Sequence, residues 1–324
     1  MLVATPDPKL KIVKEEELLV IRDAHSLDER MIPFEWSAIM QWDPCVYEHA
    51  MHGKMPTNRI LLGVVNGRIV SCLVVHVFEN QTGFFGPLIV LNPNDRGKGY
   101  GHGLMQYMLH AYRGYVLGCN GAVEKVKYYQ QYGMQAHHTV QRWRGTFPSS
   151  CAHLAARHQP QYHVMQDNDR ALSVMIQMDY EATGVRRCQF WKSWLAQKER
   201  ITLVMNSGEQ DNEQRPAAVG CLTPVGQTGV YRLAPVFAVD RASAIALGLE
   251  LMQRVMDVDP MSESSTADLK FDIACESENP DAEEICRDLF QWGAGIQGVK
   301  LWKGGKPIAQ HPNRMYGVAG LECN

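Results

Sequence analysis

Apolar and polar positions follow two periods along this chain. Strand-like alternation appears at Leu18–Arg22, then at Ile60–Val65 and Ile69–Phe78, two runs flanking Asn66-Gly67. That dipeptide suits a two-residue hairpin turn, because both of its positions accept positive φ. Helical spacing governs the stretch between them. Ser26-Leu27-Asp28-Glu29 has the form of a capping box, and Phe34–Met51 places Trp36, Ile39, Met40, Trp42 and Tyr47 at helix-like intervals, with Pro44 as an interruption. The pattern next predicts a strand at Phe84–Leu91, a glycine-dense loop, a helix to about Arg113 and a strand at Tyr115–Cys119. A helix at Val123–Tyr132 and a strand at Thr139–Gly145 that closes the sheet complete the first half.

Pro148-Ser149-Ser150 opens a weakly patterned stretch that ends at Pro160, which sets a linker at 147–160 between domains at 1–146 and 161–324. The second half repeats the first in degraded form. It predicts a strand at His163–Met165, helices at Asp169–Tyr180 and Gln189–Lys198, and strands at Ile201–Met205 and Val219–Thr223 across the polar insertion Ser207–Arg215. A strand at Val230–Val239, a helix at Ala242–Met256, a strand at Lys270–Ala274, a helix at Ala282–Trp292 and a short strand at Met315–Val318 follow. Trp191 and Trp194 share one helix face and read as packing.

The segment Arg96-Gly97-Lys98-Gly99-Tyr100-Gly101 lies between the apolar run Gly86–Leu91 and the helical Leu104–Leu109. A glycine-rich loop at a helix start presents successive N–H groups and the positive end of the helix dipole, which together suit a pyrophosphate. Lys98 is followed by Gly99 rather than Ser or Thr, so the loop is not a nucleoside-triphosphate loop. Gly97, Gly99, Gly101 and Gly103 alternate, which breaks the dinucleotide fingerprint. The pattern Arg-x-x-Gly-x-Gly after a strand and Asn92-Pro93 instead resembles the acetyl-CoA loop of the GNAT superfamily of N-acetyltransferases.

The resemblance implies acetyl-CoA as cosubstrate. Its pyrophosphate would lie on Arg96, Gly97, Lys98, Gly99, Tyr100 and Gly101, and its pantetheine arm would pair with Ile89, Val90 and Leu91. Val126-Lys127-Tyr128-Tyr129-Gln130-Gln131-Tyr132-Gly133-Met134 is similar to the later helix of that superfamily, whose tyrosine, here Tyr129, protonates the departing thiolate. A phenol of pKa about 10 stays protonated at neutral pH and can donate to sulfur.

In the second half, Asp179, Gly184, Arg187, Arg232 and Pro235 resemble a tandem type in which a degenerate GNAT domain follows a standard one; Phe237 and Val239 fall off its simplest spacing. The fold so implied is α/β, two tandem GNAT-like domains, each a mixed, mostly antiparallel sheet flanked by helices. The turn Val239-Asp240-Arg241-Ala242 has no glycine and is too short to wrap a pyrophosphate, so this domain is not expected to bind CoA in the usual way. A divergent, unrelated α/β domain is the alternative.

Composition narrows the class. The chain has 324 residues, a net charge of −3 and a sequence pI near 6.5, which gives no field for nucleic acid or an anionic membrane. Nine scattered cysteines without a C-x-x-C pair argue against a disulfide framework or a zinc site, and no metal is expected. No apolar run reaches a membrane-spanning length of about 18 residues, and the N-terminus lacks a signal-peptide core. The expectation is a cytoplasmic protein, monomer or homodimer.

The expected chemistry is direct acetyl transfer, in a ternary complex, to the amine of a small molecule of amino-acid or polyamine type. The histone-acetylating branch of the superfamily carries a glutamate where this chain has Phe85. Glu79, His76, Glu35 and Glu124 remain as candidate bases beside proton loss to water. Cys119 could act as a nucleophile, although nothing adjacent would activate it. His137 and His138 point to opposite faces of a strand and read as core or surface, as do His49 and His52. Trp36, with Trp42, could line the acceptor pocket. Asp179 and Arg187 could bind an amino-acid-like acceptor or form an inter-domain ion pair. A CoA-binding regulatory or scaffold protein without transferase activity is the second functional reading.

Overall fold

The structure is a computed structural model that describes residues 11–14, 17–45, 55, 58–151, 162–165, 168–197, 200–207, 215–226, 229–258 and 269–319. Strands β1 (Lys11–Lys14) and β2 (Glu17–Asp23) lead into helix α1 (Leu27–Ile39). Ser26 Oγ accepts from Glu29 N at 3.1 Å, and the Glu29 carboxylate accepts from His25 N at 2.7 Å, so the helix starts where the capping box places it. The helix ends earlier than its apolar spacing suggests. Gln41 and Asp43 take positive φ (60° and 49°), and the chain runs on as an extended segment through Cys45. Tyr47, His49, His52 and most of the expected linker lie outside the described residues.

Strands β3 (Asn58–Val65) and β4 (Arg68–Val77) form the hairpin, with Asn66 and Gly67 at φ 49° and 78°. Strand β5 (Thr82–Ile89), helix α2 (Tyr100–Ala111), strand β6 (Val116–Ala122), helix α3 (Val126–Gln130) and strand β7 (Gln135–Gly145) complete the first half. The second half runs β8 (Tyr162–Met165), α4 (Asn168–Thr183), α5 (Cys188–Leu195), β9 (Ile201–Ser207), β10 (Pro216–Pro224), β11 (Val230–Ala238) and α6 (Arg241–Val258). It ends with β12 (Lys270–Glu276), α7 (Pro280–Glu284, continued by a π turn at Ile285–Leu289), β13 (Gly293–Lys303) and β14 (Met315–Gly317). Among the described residues no helix is long and apolar enough to cross a membrane.

The two halves do not form separate sheets. One sheet runs β1-β2-β3-β4-β5-β6-β13-β7-β12-β11-β10-β9-β8, and β14 is added against β11. Strand β7 does not close the first half. It crosses to pair with β12, while β13 crosses the other way to pair with β6, and the two exchanged strands pair with each other. The parallel pairings are β5 with β6 and β11 with β12, one in each half. The rest of the sheet is antiparallel, as the mostly antiparallel reading requires.

Alternating side chains build a core on each face. In the first half, Leu61, Leu73, Val75 and Cys119 face α2, where Leu104, Met105 and Met108 are buried. Ile60, Leu62, Cys72 and Val74 face α1 and its Phe34. In the second half α6 covers one face, and α4 and α5 cover the other. Trp191 and Trp194 are fully buried there, packed against Phe190.

Candidate functional site

Parallel pairing of β5 with β6 stops after three residues, at Phe84 opposite Gly118. Beyond that point the strands splay, which leaves the facing main-chain edges of Phe85–Ile89 and Cys119–Ala122 free of each other. A cavity of about 680 Å³ runs through this opening. Phe85, Tyr100, Tyr128 and Tyr129 line it on the α2 side; Phe34 and Trp42 line it on the α1 side.

The α2 end of the cavity is formed by a glycine-built helix start. Gly97 and Gly99 hold φ of 78° and 89°, a conformation that L side chains rarely adopt. Gly99 is the N-cap of α2 and supplies no side-chain cap, and the first turn carries no acidic residue. The positive end of the helix dipole therefore meets no acidic side chain in that turn. Arg96 is committed to the protein: its Nε donates to Val90 O at 3.0 Å and its Nη2 to Leu91 O at 3.2 Å, which fixes the end of β5. Asp95 accepts from Arg68 at 2.7 Å, a bond that holds its carboxyl below the usual range. Ile89, Val90, Arg96, Gly97, Gly99, Tyr100 and Gly101 line the cavity. Leu91 and Lys98 do not; Lys98 turns aside, 3.7 Å from Asp95.

Tyr129 stands in the throat. Its ring tilts against Phe85 at 6.2 Å and meets Tyr128 edge-on at 5.4 Å. It also covers Gly121 so closely that a Cβ there would lie 2.7 and 2.8 Å from ring carbons. Glycine at 121 is thus what lets the phenol reach the opening between the strands. Burial pushes the Tyr129 phenol well above its ordinary pKa, with smaller contributions from Cys119 and Tyr132, so the group keeps its proton at neutral pH. Tyr132 OH lies 3.2 Å from Tyr128 OH and 2.6 Å from His102 Nδ1, a chain that ties the helix of Tyr129 to the start of α2.

Of the four candidate bases, Glu124 lines the cavity; Glu79 and Glu35 are exposed elsewhere and His76 is fully buried within β4. Cys119 faces the α2 core at 1% exposure, its Sγ 3.8 Å from Met134 Sδ, and burial raises its pKa, so it is not a nucleophile for this cavity.

The remaining candidate substrate residues lie away from the cavity. Trp36 is half-buried on the α1 core, and the tryptophan on the wall is Trp42. Asp179 and Arg187 are buried against each other, and Trp191 Nε1 donates to the same carboxylate at 2.7 Å. Both belong to the second half, so the pair does not itself bridge the halves; the Arg187 guanidinium lies 5.6 Å from the Phe78 ring of the first. Their charges close the α4–α5 corner and offer nothing to a substrate. His138 lies 3.1 Å from Glu276 and 3.4 Å from Glu278, a grouping with metal-ligand chemistry, but Lys300 and Lys306 already supply the positive charge to those carboxylates.

The sequence reading missed the contribution of the second half. Ile296, Gln297 and Gly298, at the start of β13, line the cavity beside Asn120 and Glu124. Gln141 Nε2 holds them in place by donating to Gly295 O at 3.1 Å and Ile296 O at 3.4 Å. The segment after α1 is anchored to β7 and to the second half as well. Asp43 O accepts from Arg232 at 2.8 Å, the Asp43 carboxylate accepts from Arg144 at 2.6 Å, and Pro44 O accepts from Gly226 N at 3.2 Å. Trp42 O accepts from Arg142 at 3.1 Å.

The equivalent opening in the second half is filled. Strand β14 pairs with β11 where β11 splays from β12, and Val318 N donates across to Ala274 O at 2.9 Å. The following helix α6 is capped by its own chain, Asp240 Oδ1 accepting from Ser243 N at 2.8 Å. Neither the slot nor the helix start is left for a cofactor.

The model of the acetyltransferase (GNAT) family matches residues 21–145. The chain is 25% identical, over 268 residues, to the holothin acyltransferase of Pseudoalteromonas sp. (strain SANK 73390), covering 81% of this chain and 84% of that protein. Its fold is similar to that of a candidate acetyltransferase from Pyrococcus horikoshii (TM-score 0.70, 12% identity, 99% of this chain and 100% of that one). It also resembles a tandem GNAT protein from the clavulanic acid biosynthesis pathway (TM-score 0.59, 11% identity, 88% and 98%). A third similar fold is a GCN5-related N-acetyltransferase from Sphaerobacter thermophilus (TM-score 0.55, 12% identity, 90% and 97%).

Proposed function

Starting from residues 21–145 as a domain of the GNAT acyltransferase family, we propose that the chain transfers an acetyl group from acetyl-CoA directly to the amine of a small molecule. The observation that carries this reading is one continuous cavity. It joins the uncapped glycine-built start of α2, the open edges of β5 and β6, and the phenol of Tyr129. The similarity to a protein named holothin acyltransferase supports acyl transfer.

The N–H groups at the start of α2 would bind the pyrophosphate, and the open edge of β5 would pair with the pantetheine arm and polarise the thioester carbonyl. The amine nitrogen attacks that carbonyl. A C–N bond forms, the C–S bond breaks, Tyr129 gives its proton to the sulfur, and the proton lost by the amine passes to Glu124 or to water. Holding both reactants in one cavity removes most of the entropic cost of their encounter.

The test is titration with acetyl-CoA followed by thiol release in the presence of pooled amines. Binding with amine-dependent release supports the transferase. Binding without release for any amine would favour the scaffold reading, which Phe85 at the glutamate position also favours. No binding would overturn the cofactor assignment.

A further inference from the structure

We propose that Lys303, on strand β13 of the second half, is a positioning residue for Tyr129: by holding the carbonyl at the exit of the tyrosine's helix, it sets the phenol in the throat of the cavity. This role rests on the acyl-CoA reading above, in which Tyr129 gives its proton to the sulfur. The helix cannot place the ring alone. Helix α3 has five residues, Val126–Gln130, and no side chain caps its start. A helix so short does not persist on its own bonds. Its exit turn is closed by Tyr132 N donating to Tyr129 O and Gly133 N donating to Gln130 O, both at 3.0 Å. The last carbonyls of a helix find no partner within it and take one from outside. Tyr132 O takes Lys303, whose Nζ donates to it at 2.6 Å across 171 residues of sequence. A cation at that end also suits the partial negative charge of the carbonyls.

Register brings the lysine there. Strand β13 pairs Leu301 with Cys119 and Lys303 with Leu117 of β6, and on its other side pairs Leu301 with Ala136 and Trp302 with Gln135 of β7. The end of β13 therefore runs beside the chain that leaves α3. Leu301 and Lys303 alternate onto one face of the strand, and Leu301 is fully buried in the core against which Tyr129 and Tyr132 pack. A Cβ at Gly121 would lie 3.0 Å from Leu301 Cδ1 as well as against the Tyr129 ring, so leucine and phenol meet over the glycine. A Cβ at Gly133 would lie 2.9 Å from Lys303 Nζ, and φ there is 80°, so glycine at 133 both makes the turn and leaves room for the ammonium.

Tyr132 is thus held at both ends. Lys303 fixes its carbonyl, and its hydroxyl lies 2.6 Å from His102 Nδ1 on α2. Its amide in turn is bonded to Tyr129 O, so the clamped residue is tied directly to the backbone of the reacting one. Transfer of a proton to sulfur depends on that placement, since a displacement of about 1 Å costs up to about a hundredfold in rate. The acid of the first half is therefore aimed by a side chain of the second.

The closing experiment measures thiol release from acetyl-CoA, with 2-phenylethylamine, spermidine and L-lysine as acceptors, in the wild-type chain, Lys303→Met, Lys303→Arg, Tyr129→Phe and the Lys303→Met/Tyr129→Phe double variant. Lys303 is half-buried at a strand end, and methionine keeps its unbranched stem without the charge, so the substitution is compatible with the fold. Lys303→Met should lower kcat by about tenfold with the KM for acetyl-CoA within about twofold of wild type, and Lys303→Arg should recover most of the loss. Once Tyr129 is Phe, Lys303→Met should change kcat by under about twofold, because residues that act as a unit are not additive. The same tenfold loss in both backgrounds would overturn the inference by making Lys303 a matter of general stability, as would an unchanged kcat in Lys303→Met. A carbon-13 label at the tyrosine Cζ gives a reading that needs no turnover. The resonance absent from Tyr129→Phe belongs to Tyr129; it should move in Lys303→Met and return toward its wild-type place in Lys303→Arg, and an unmoved resonance would overturn the inference even where kcat fell. Acetyl-CoA binding by the wild type with no release from any amine would instead sink the transferase reading, while the resonance still decides whether Lys303 places the ring.

Discussion

Tyr129 and Gly121 act as one unit, since the ring lies on the glycine. Replacing Tyr129 by Phe should lower kcat by about a hundredfold, the usual worth of a positioned acid, with acetyl-CoA affinity within about twofold of wild type. Gly121→Ala should produce much of the same loss with both tyrosine and cavity chemistry intact, because the new methyl drives the ring from the opening; a kcat near wild type would remove the ring from the mechanism. Since burial raises the phenol pKa, the proton stays bound to higher pH than on a free tyrosine, so no alkaline loss of activity below about pH 10 should trace to this group. Part of this geometry was legible in the chain: the alternating glycines mark the start of α2, and Tyr129 lies in the later segment that lines the same cavity. Which of the two candidate tryptophans, Trp36 and Trp42, lines the cavity was not, because both fit a helical spacing and only the positive φ at Gln41 and Asp43 takes the second out of the helix.

At the scale of elements, strand β13 escaped the sequence reading. Gly293, Gly295 and Gly298 give its first half a loop-like composition, and it becomes a strand because β6 and β7 flank it on both sides. The short segment after α1 has a similar dependence, held from outside through Asp43, Arg232, Arg144 and Asp272. Burial works to raise the pKa of Asp272, but Arg232 and Arg142 outweigh it and hold it low. A depressed carboxyl contributes stability above its unfolded value of about 3.9 and loses it as pH falls through its folded value, so this corner should weaken in acid. Asp272→Asn would leave Arg232, Arg144 and Arg142 facing a neutral group. We expect a loss of about 3–5 kcal/mol in denaturant unfolding, the cost of breaking a buried pair, and an unchanged midpoint would show that the charges are not structurally coupled.

Across the whole molecule the halves share an outline but not a role. Each has a parallel pair that splays, with a proline in the splayed strand at Pro87 or Pro235. One opening is a cavity and the other holds β14. Calorimetric titration should therefore find one acetyl-CoA bound per chain, and two equivalents would mean that β14 yields its place. The absence of glycine at 239–242 hinted at this inequality. The occupant of the second opening could not be read in advance, since Met315-Tyr316-Gly317 is too short to declare its partner.

The strand exchange sets a timetable for synthesis. A ribosome delivers β6 long before β13, with roughly 150 residues between the end of β7 and β13, about eight to thirty seconds at ordinary elongation rates. Through that interval the nascent first half has a bare sheet edge where its own site should be walled, the kind of edge on which chains aggregate. A message cut short before residue 293 would yield no half-enzyme, and an attendant chaperone would have its work concentrated in that wait.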